Sequence, residues 1–291
     1  MEKQFPIYIP SLGRHESMFT SKSLSKMGVA HNIVVEPPEV DIYKSVVKKY
    51  GLLAKIIELD MSYKDNYDYC DVYGTTRSTG SGPCRNFIWE HSISEGYKYH
   101  WIMDDNIRSF RRLNKNEKVK CESKSFWVAM EDFMLRYKNV GMAGPNYYMF
   151  APARTKQPPF VCNTRIYSCN LIKNDLPFRW RGRYNEDTIL SLDMLKKGWC
   201  TILFNAFLQE KIVTGAVKGG NTDSIYINGT REKSQMLVRE HPDVSRIVHR
   251  FGRIHHHVDY TQFKKQKLIK HEGQTSSVGA NNYEMRLEAS K

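Results

Sequence analysis

The sequence contains no apolar run long enough, at roughly 18 residues, to form a transmembrane helix. Its first ten residues, MEKQFPIYIP, carry too short an apolar run for a secretory signal peptide. None of the six cysteines belongs to a CxxC pair, which argues against a zinc ribbon and is typical of reduced thiols. Internal repeats and an obvious linker are also lacking. We therefore expect a cytoplasmic protein that does not enter the membrane.

Acidic residues are in deficit, with 31 Asp and Glu against 44 Lys and Arg and a net charge of +13. Such an excess of positive charge favours a polyanionic partner, most often nucleic acid, with an anionic membrane surface or an acidic glycan as alternatives. A generally basic soluble protein has the same composition. The charge alone therefore does not identify the partner.

Short apolar runs alternate with segments of helical periodicity, which predicts an α/β fold with a mostly parallel central sheet flanked by helices. We expect one domain over residues 1–263 and a polar C-terminal extension over 264–291. A Gly/Ser/Thr-rich stretch at 66–82 is too long for a simple turn, and loops of that length are usually functional or mobile. Strands are predicted at 5–11, 31–36, 54–59 and 98–103, and helices at 15–28, 40–51, 83–96, 123–138 and 183–198.

The strand in KYHWIMDDNIRSF (98–110) ends abruptly in Asp104, Asp105 and Asn106. Neighbouring carboxylates repel each other, and burying them without a partner is costly. In an open α/β sheet, ligands bind at the carboxyl ends of strands, and such oxygen ligands suit Mg²⁺ or Mn²⁺. The alternative is an acidic turn, where Asp and Asn are common.

A second acidic pair, Glu186 and Asp187, stands at the predicted start of a helix in RYNEDTILSL. Acids at a helix N-terminus are common because they stabilise the helix dipole. Two carboxylates also suggest acid–base chemistry, including glycoside hydrolysis, although the basic composition makes hydrolysis less attractive.

Two further segments carry candidate ligands. In GRIHHHVDY (252–260), His255 and His257 share one face of a strand and His256 takes the other. One of these histidines is a candidate metal ligand, because Mn²⁺ accepts imidazole. The alternative is that they are structural histidines bonded to the backbone. In VKGGNTD (217–223), Lys218 precedes a Gly-Gly loop whose amides can approach phosphates.

Past the acidic triplet, RSFRRLN (108–114) is strongly basic. Arg108, Arg111 and Arg112 are candidates for an acceptor-side patch that contacts DNA, and a solvated charged face is the alternative.

The unit GPCRNFIWEHSISEGYKYHWIMDDN (82–106) resembles the nucleotide-sugar-binding half of GT-A glycosyltransferases, in which a strand delivers an acidic triplet. NEDTILSLDMLKKGW is similar to the segment that supplies the catalytic base in these enzymes, and IPSLGR (9–14) to their first loop. The resemblance implies a GT-A fold, a divalent ion and a diphosphate donor. It implies donor-binding roles for Pro10, Ser11, Arg14, Arg85, Asn86, Asp104 and Lys218. The implied metal ligands are Asp105, Asn106 and His256, with His255 as the second choice of histidine. The implied catalytic base is Asp187, with Glu186 as the second choice.

A narrower resemblance joins these blocks with IVVEP, GWCTILFNAFL, KGGNTD and HPD over residues 5–260: the chain resembles the TET-associated glycosyltransferases of bacteriophages. This implies transfer of glucose, or a pentose such as arabinose, from a UDP-sugar to 5-hydroxymethylcytosine in DNA. A phage protein would act in the host cell cytoplasm, as a monomer or weak homo-oligomer. A non-DNA hydroxyl acceptor, a metal-dependent nuclease or phosphohydrolase, and a non-catalytic nucleic-acid-binding protein remain alternatives.

Overall fold

The computed structural model describes residues 5–151, 157–212, 231–250 and 252–272. No helix in these ranges is both long and apolar enough to cross a membrane. The strands are β1 (Ile7–Pro10), β2 (His31–Val35), β3 (Ala54–Glu58), β4 (Tyr99–Met103), β5 (Ile107–Asn114), β6 (Glu117–Lys120), β7 (Val140–Tyr147), β8 (Phe160–Cys162), β9 (Cys169–Lys173), β10 (Cys200–Lys211), β11 (Ser245–Arg250) and β12 (Arg253–Val258). The helices are α1 (Phe19–Lys26), α2 (Val40–Tyr50), α3 (Ser62–Asp65), α4 (Gly82–Ser94), α5 (Ser125–Leu135), α6 (Glu186–Lys196) and α7 (Arg231–Glu240).

Ten of the strands form one mixed sheet in the order β3–β2–β1–β4–β9–β7–β10–β5–β6, with β8 beside β10. Strands β1 to β4 are parallel to one another, as the alternation of strands and helices predicts. Strand β9 runs antiparallel between β4 and β7, so β7 and its parallel neighbour β10 point the same way as β1. The α/β class is confirmed, while the antiparallel direction of β9 in the middle of the sheet was not predicted.

Helices cover both faces of the sheet, so its central strands are buried on both sides. Ile7 and Ile9 of β1 belong to one apolar cluster, whereas Tyr8 between them belongs to the other. Strand β4 repeats the pattern, with Trp101 on the first side and Ile102 on the second. This double burial explains why these strands are almost continuously apolar in sequence.

The predicted helix at 15–28 forms only over Phe19–Lys26. Met18 adopts a left-handed conformation with φ of 41° just before it, and this ends any continuous helical geometry upstream. The helix predicted at 40–51 forms over Val40–Tyr50, and Gly51 ends it with φ of 59°.

Strands β5 and β6 form a hairpin that the sequence reasoning did not predict. Lys115 and Asn116 connect them, both with positive φ (48° and 66°), as in the two-residue turns that match the twist of a hairpin. The signal was weak because Lys occupies the first turn position, where Asn or Gly is usual. The basic segment 108–114 therefore lies on a strand near the edge of the sheet.

The stretch at 66–82 is irregular, as expected, but it is tied firmly to the core. The Arg183 guanidinium donates to both carboxylate oxygens of Asp71, at 2.6 and 3.0 Å, and to the carbonyl of Gly74 at 2.7 Å. The Tyr67 hydroxyl donates to the carbonyl of Gly182 at 3.0 Å. These bonds explain how a polar loop of this length takes one defined path.

The start of the predicted C-terminal extension packs against the end of α5. The amide of Lys138 donates to the carbonyl of Ile269 at 2.9 Å, and the amide of His271 donates to the carbonyl of Arg136 at 3.0 Å. Residues 273–291 lie outside the described ranges. The division at residue 263 stays a prediction.

Glu131 of α5 is buried, at 3% exposure, and accepts from the indole of Trp101 (2.7 Å) and the amide of Phe5 (3.3 Å). Burial outweighs these bonds and raises its pKa to about 7. The folded state therefore holds this proton more tightly than the unfolded state, so stability falls as pH rises from about 4.5 to about 7. We expect Glu131→Gln to match the wild type at pH 4 and to gain up to about 3 kcal/mol at pH 8.

Urea unfolding of both proteins from pH 4 to pH 8 measures this difference. Glu117→Gln, which removes an exposed carboxylate from β6, is the matched control and should show no such trend. Parallel pH profiles for the wild type and Glu131→Gln would show that Glu131 is ionised without cost.

Candidate active site

A cleft of about 360 Å³ opens at the carboxyl ends of β1, β2 and β4. The first turns of α4 and α6 and the end of β10 also line it. The carboxyl ends of parallel strands and the N-termini of helices meet here, which is the usual place for a ligand in an open α/β sheet. The sequence order of these elements thus brings distant charged residues into one space.

Arg85 of α4 is the centre of the charge network. Its side chain is 2% exposed; one terminal nitrogen donates to Asp104 Oδ1 at 2.7 Å and the other to Asp187 Oδ1 at 3.1 Å. Its Nε donates to Ser81 Oγ at 3.1 Å, and the guanidinium lies 4.6 Å from the Trp180 ring centroid. Burial works against the charge, but the carboxylates hold the Arg85 pKa above its usual range. Arg85 therefore fixes the two acids relative to each other.

Asp104 accepts a second cation on its other oxygen. Lys211 Nζ, at the end of β10, lies 2.5 Å from Asp104 Oδ2 and 3.1 Å from Ser168 Oγ. Burial raises the pKa of Asp104, but Lys211 and Arg85 outweigh it and bring the pKa to about 2. Asp104 is therefore a carboxylate at any physiological pH.

Asp105 and Asn106 point into the same region from the turn after β4. Asp105 accepts from Ser11 Oγ at 2.8 Å and pairs with the Arg14 guanidinium. Burial nevertheless raises the pKa of Asp105. Asn106 is 6% exposed, and its buried Oδ1 has no hydrogen-bond partner within the part of the chain that is described.

Asp187 is held by three donors at the first turn of α6. Besides Arg85, the Asn170 amide donates to Oδ1 at 3.3 Å and the Ser168 backbone amide donates to Oδ2 at 3.4 Å. Burial raises the pKa of Asp187 to about 6, with Arg85 opposing and Glu186 adding to the shift. The Asp187 side chain is 16% exposed and lines the cleft, so a substrate can reach it. A carboxylate held in place with a pKa near 6 suits proton transfer near neutral pH.

Glu186 precedes Asp187 and also lines the cleft. It accepts from Ser81 Oγ at 3.2 Å and lies 4.0 Å from Arg85 Nε. The two acids that the sequence singled out therefore stand side by side at the helix start.

The histidines lie on β12, which pairs antiparallel with β11. His256 lines the cleft, and His255 is not among the lining residues. Burial lowers the pKa of His256 to about 4, with Lys233 and Arg165 lowering it further. His256 is thus a neutral imidazole on the cleft side of its strand.

Of the predicted donor ligands, Pro10, Ser11 and Arg14 line the cleft, but Asn86 does not. The Asn86 amide donates to the carbonyl of Trp180 at 2.9 Å and accepts from its backbone amide at 2.8 Å. The structure thus gives Asn86 a bracing role, because both ends of its side chain are used in that pairing. Lys218 falls outside the described residues.

The predicted basic patch is engaged within the sheet. Arg108 and Arg111 of β5 both bind Glu210 of β10, Arg111 at 2.9 Å. Arg112 is half-buried on the same strand. The hairpin keeps a basic surface, and part of that charge is neutralised by Glu210.

The sequence reasoning missed four cationic residues of the cleft: Lys64, Arg165, Lys211 and Lys233. Lys211 carried a usable signal, because it ends a long apolar strand as Asp104 follows one. Lys233 and Arg165 stand in segments without a recognisable pattern, and only packing brings them to the acids.

The residues present fit a hard divalent ion. Among the described residues no group of three or more His, Cys, Asp or Glu is arranged to hold a metal. Mg²⁺, however, is usually bound by one or two carboxylates together with substrate phosphates, and it prefers oxygen. Asp105 and Asn106 Oδ1, which has no hydrogen-bond partner among the described residues, offer such oxygens, and His256 lines the same cleft.

An open α/β sheet with a cluster of acids and cations at its strand ends defines an α/β protein with an enzyme-like cleft. The chain belongs to the TET-associated glycosyltransferase family, whose model matches residues 5–220. It is therefore a glycosyltransferase by family, which confirms the resemblance seen in the sequence. No curated protein sequence matches the chain.

Two solved structures are distantly similar. The inositol-1-phosphate CTP transferase from T. maritima has 9% identity and a TM-score of 0.38, with 73% of this chain and 91% of that chain covered. The CMP:2-keto-3-deoxy-manno-octonic acid synthetase complexed with CTP has 12% identity and a TM-score of 0.38, with 76% and 94% covered. Likenesses this weak have no bearing on activity.

Proposed function

We propose that this protein has the GT-A type of glycosyltransferase fold and transfers a sugar from a UDP-sugar to the hydroxymethyl group of 5-hydroxymethylcytosine in DNA. Glucose is the first candidate sugar and a pentose such as arabinose the second. The observation that carries the proposal is the Arg85 bridge, which holds Asp104 and Asp187 in one cleft of a chain from this family. The net charge of +13 supports a DNA acceptor, because phosphate contacts dominate DNA affinity.

Asp187 is the general base in this proposal. It takes the proton of the acceptor hydroxyl as that oxygen attacks the anomeric carbon and forms the new glycosidic bond. The bond between the anomeric carbon and the donor phosphate oxygen breaks, and its electron pair leaves with UDP. Asp187 can act in this way because three donors fix its orientation and its pKa lies near 6.

The cationic side chains act on the leaving group. Arg14 and Lys211 line the cleft beside the acidic triplet and place positive charge where the diphosphate gathers negative charge. Asp105 and Asn106, with His256, are the residues that would hold a divalent ion. When bound, the ion supplies further positive charge to the diphosphate. Arg85 lies too deep, at 2% exposure, to be the main phosphate contact, so we assign it a positioning role.

A nucleoside mass analysis tests the function. Purified protein is incubated with DNA containing 5-hydroxymethylcytosine, a panel of UDP-sugars, and Mn²⁺, Mg²⁺ or a chelator; DNA with unmodified cytosine is the control. We expect a hexose or pentose mass increment on hydroxymethylcytidine, lost with the chelator. UDP release without any increment would reject the DNA acceptor, and cut phosphodiester bonds would favour the nuclease.

A further inference from the structure

Four side chains form an aromatic slot in the wall of the cleft: Tyr147, Phe150, Tyr167 and Arg165. The rings of Tyr147 and Tyr167 are stacked, with centroids 4.7 Å apart and an interplanar angle of 14°. Phe150 lies 5.4 Å from Tyr147, and the Arg165 guanidinium lies 4.6 Å from the Tyr167 centroid. Aromatic rings with a free face at a cleft, together with a guanidinium, are groups on which a nucleobase stacks.

Ser168 connects the aromatic slot to Asp187, the candidate general base. The Tyr147 hydroxyl and Ser168 Oγ lie 2.5 Å apart. The Ser168 amide donates to Asp187 Oδ2 at 3.4 Å, and its carbonyl accepts from the Asp104 amide at 2.7 Å. A nucleobase held in the slot would therefore lie close to Asp187, the group that accepts the proton.

The rim of the aromatic slot continues into the basic hairpin β5–β6. Tyr148, which follows Tyr147, has Lys118 Nζ 4.0 Å and the Arg111 guanidinium 5.1 Å from its ring centroid. Phe150 on the same turn is 48% exposed. An exposed ring on the same turn as a tyrosine that contacts two cations matches an acceptor that has both a base to stack and phosphates to hold.

We propose that the aromatic slot holds the acceptor base as an unpaired pyrimidine, stacked on Phe150, while the hairpin β5–β6 contacts the flanking phosphates. This inference rests on the proposed function and specifies its acceptor site. A base inside a duplex cannot reach a slot in the cleft wall, so the nucleotide must be single-stranded or extruded. Phe150 then determines acceptor affinity, and the donor side of the cleft is independent of it.

Steady-state kinetics with oligonucleotides containing one 5-hydroxymethylcytosine test the slot. We expect Phe150→Ala to raise the acceptor KM roughly 10-fold or more with little change in kcat, and Phe150→Tyr to restore it. Met149→Ala, on the same turn and 67% exposed, is the matched control without a ring. UDP-sugar hydrolysis without DNA should stay at the wild-type rate in Met149→Ala.

Three substrates test the unpaired state: a single strand, a duplex, and a duplex with an abasic site opposite the modified base. We expect kcat/KM to be higher for the single strand and for the duplex with the abasic site than for the intact duplex, because unpairing and extruding the base from an intact duplex costs free energy. Equal values for all three would overturn extrusion. An unchanged acceptor KM in Phe150→Ala would overturn the slot while transfer by the wild type upholds the function. A wild type that modifies none of the substrates overturns the proposed function and the slot with it.

Discussion

Asp187→Asn should lower kcat for sugar transfer by roughly 10³-fold and leave UDP binding unchanged. The amide keeps the shape of the carboxylate and can still accept from Arg85 and Asn170, which lie 3.1 and 3.3 Å from Oδ1. It cannot take a proton from the acceptor hydroxyl. Transfer is measured by nucleoside mass analysis, and UDP binding by titration calorimetry.

The neighbouring Glu186→Gln is the matched control, since it removes the other acid of the same helix turn. We expect a much smaller loss of kcat, together with a distinctive pH profile. Burial raises the pKa of Asp187 to about 6, so the wild-type rate should fall as the pH drops below about 6 and Asp187 is protonated. The Glu186 charge contributes to that shift, so its removal should move the acidic limb to lower pH. A larger loss in Glu186→Gln than in Asp187→Asn would make Glu186 the base.

Arg85→Met should abolish transfer and reduce the free energy of unfolding by roughly 3–5 kcal/mol at pH 8. The Arg85 side chain is 2% exposed and bonds two carboxylates, so its removal leaves Asp187 without its main cationic partner and Asp104 with Lys211 alone. The loss should shrink as the pH falls, because the two acids then take up protons in the folded state. Urea unfolding at pH 8 and pH 5, together with the transfer assay, measures both effects.

Arg136→Met is the control for Arg85→Met, because Arg136 follows α5 and its bond to Asp132 is about one third exposed to solvent. Such exposed pairs contribute roughly 0–1 kcal/mol, so this variant should stay near the wild type. Arg85→Lys should recover part of the stability but little activity, since an ammonium cannot reproduce the fork that joins Asp104 to Asp187. A stability loss in Arg85→Met that does not change with pH would mean that lost packing against Trp180 explains the effect.

Local features followed directly from the sequence. The alternation of apolar runs and helical periodicity predicted the parallel strands β1 to β4 and their connecting helices, and the acids after β4 and at the start of α6 appeared where expected. Such features depend on neighbouring residues, so the order of residues determines them. The hairpin β5–β6 and the antiparallel direction of β9 escaped prediction, because sheet packing decides which strands pair and in which direction.

The candidate site shows the same division. The sequence alone pointed to Asp104, Asp187 and the family, since each lies in a short block of recognisable pattern. That Arg85 binds both acids, and that Lys211 neutralises Asp104, was decided by the tertiary structure, which brings together residues about a hundred positions apart. The pKa of about 6 for Asp187 arises in the same way, because burial and neighbouring charges set it. Sequence therefore determined which groups are present, and folding determined their partners and their proton affinities.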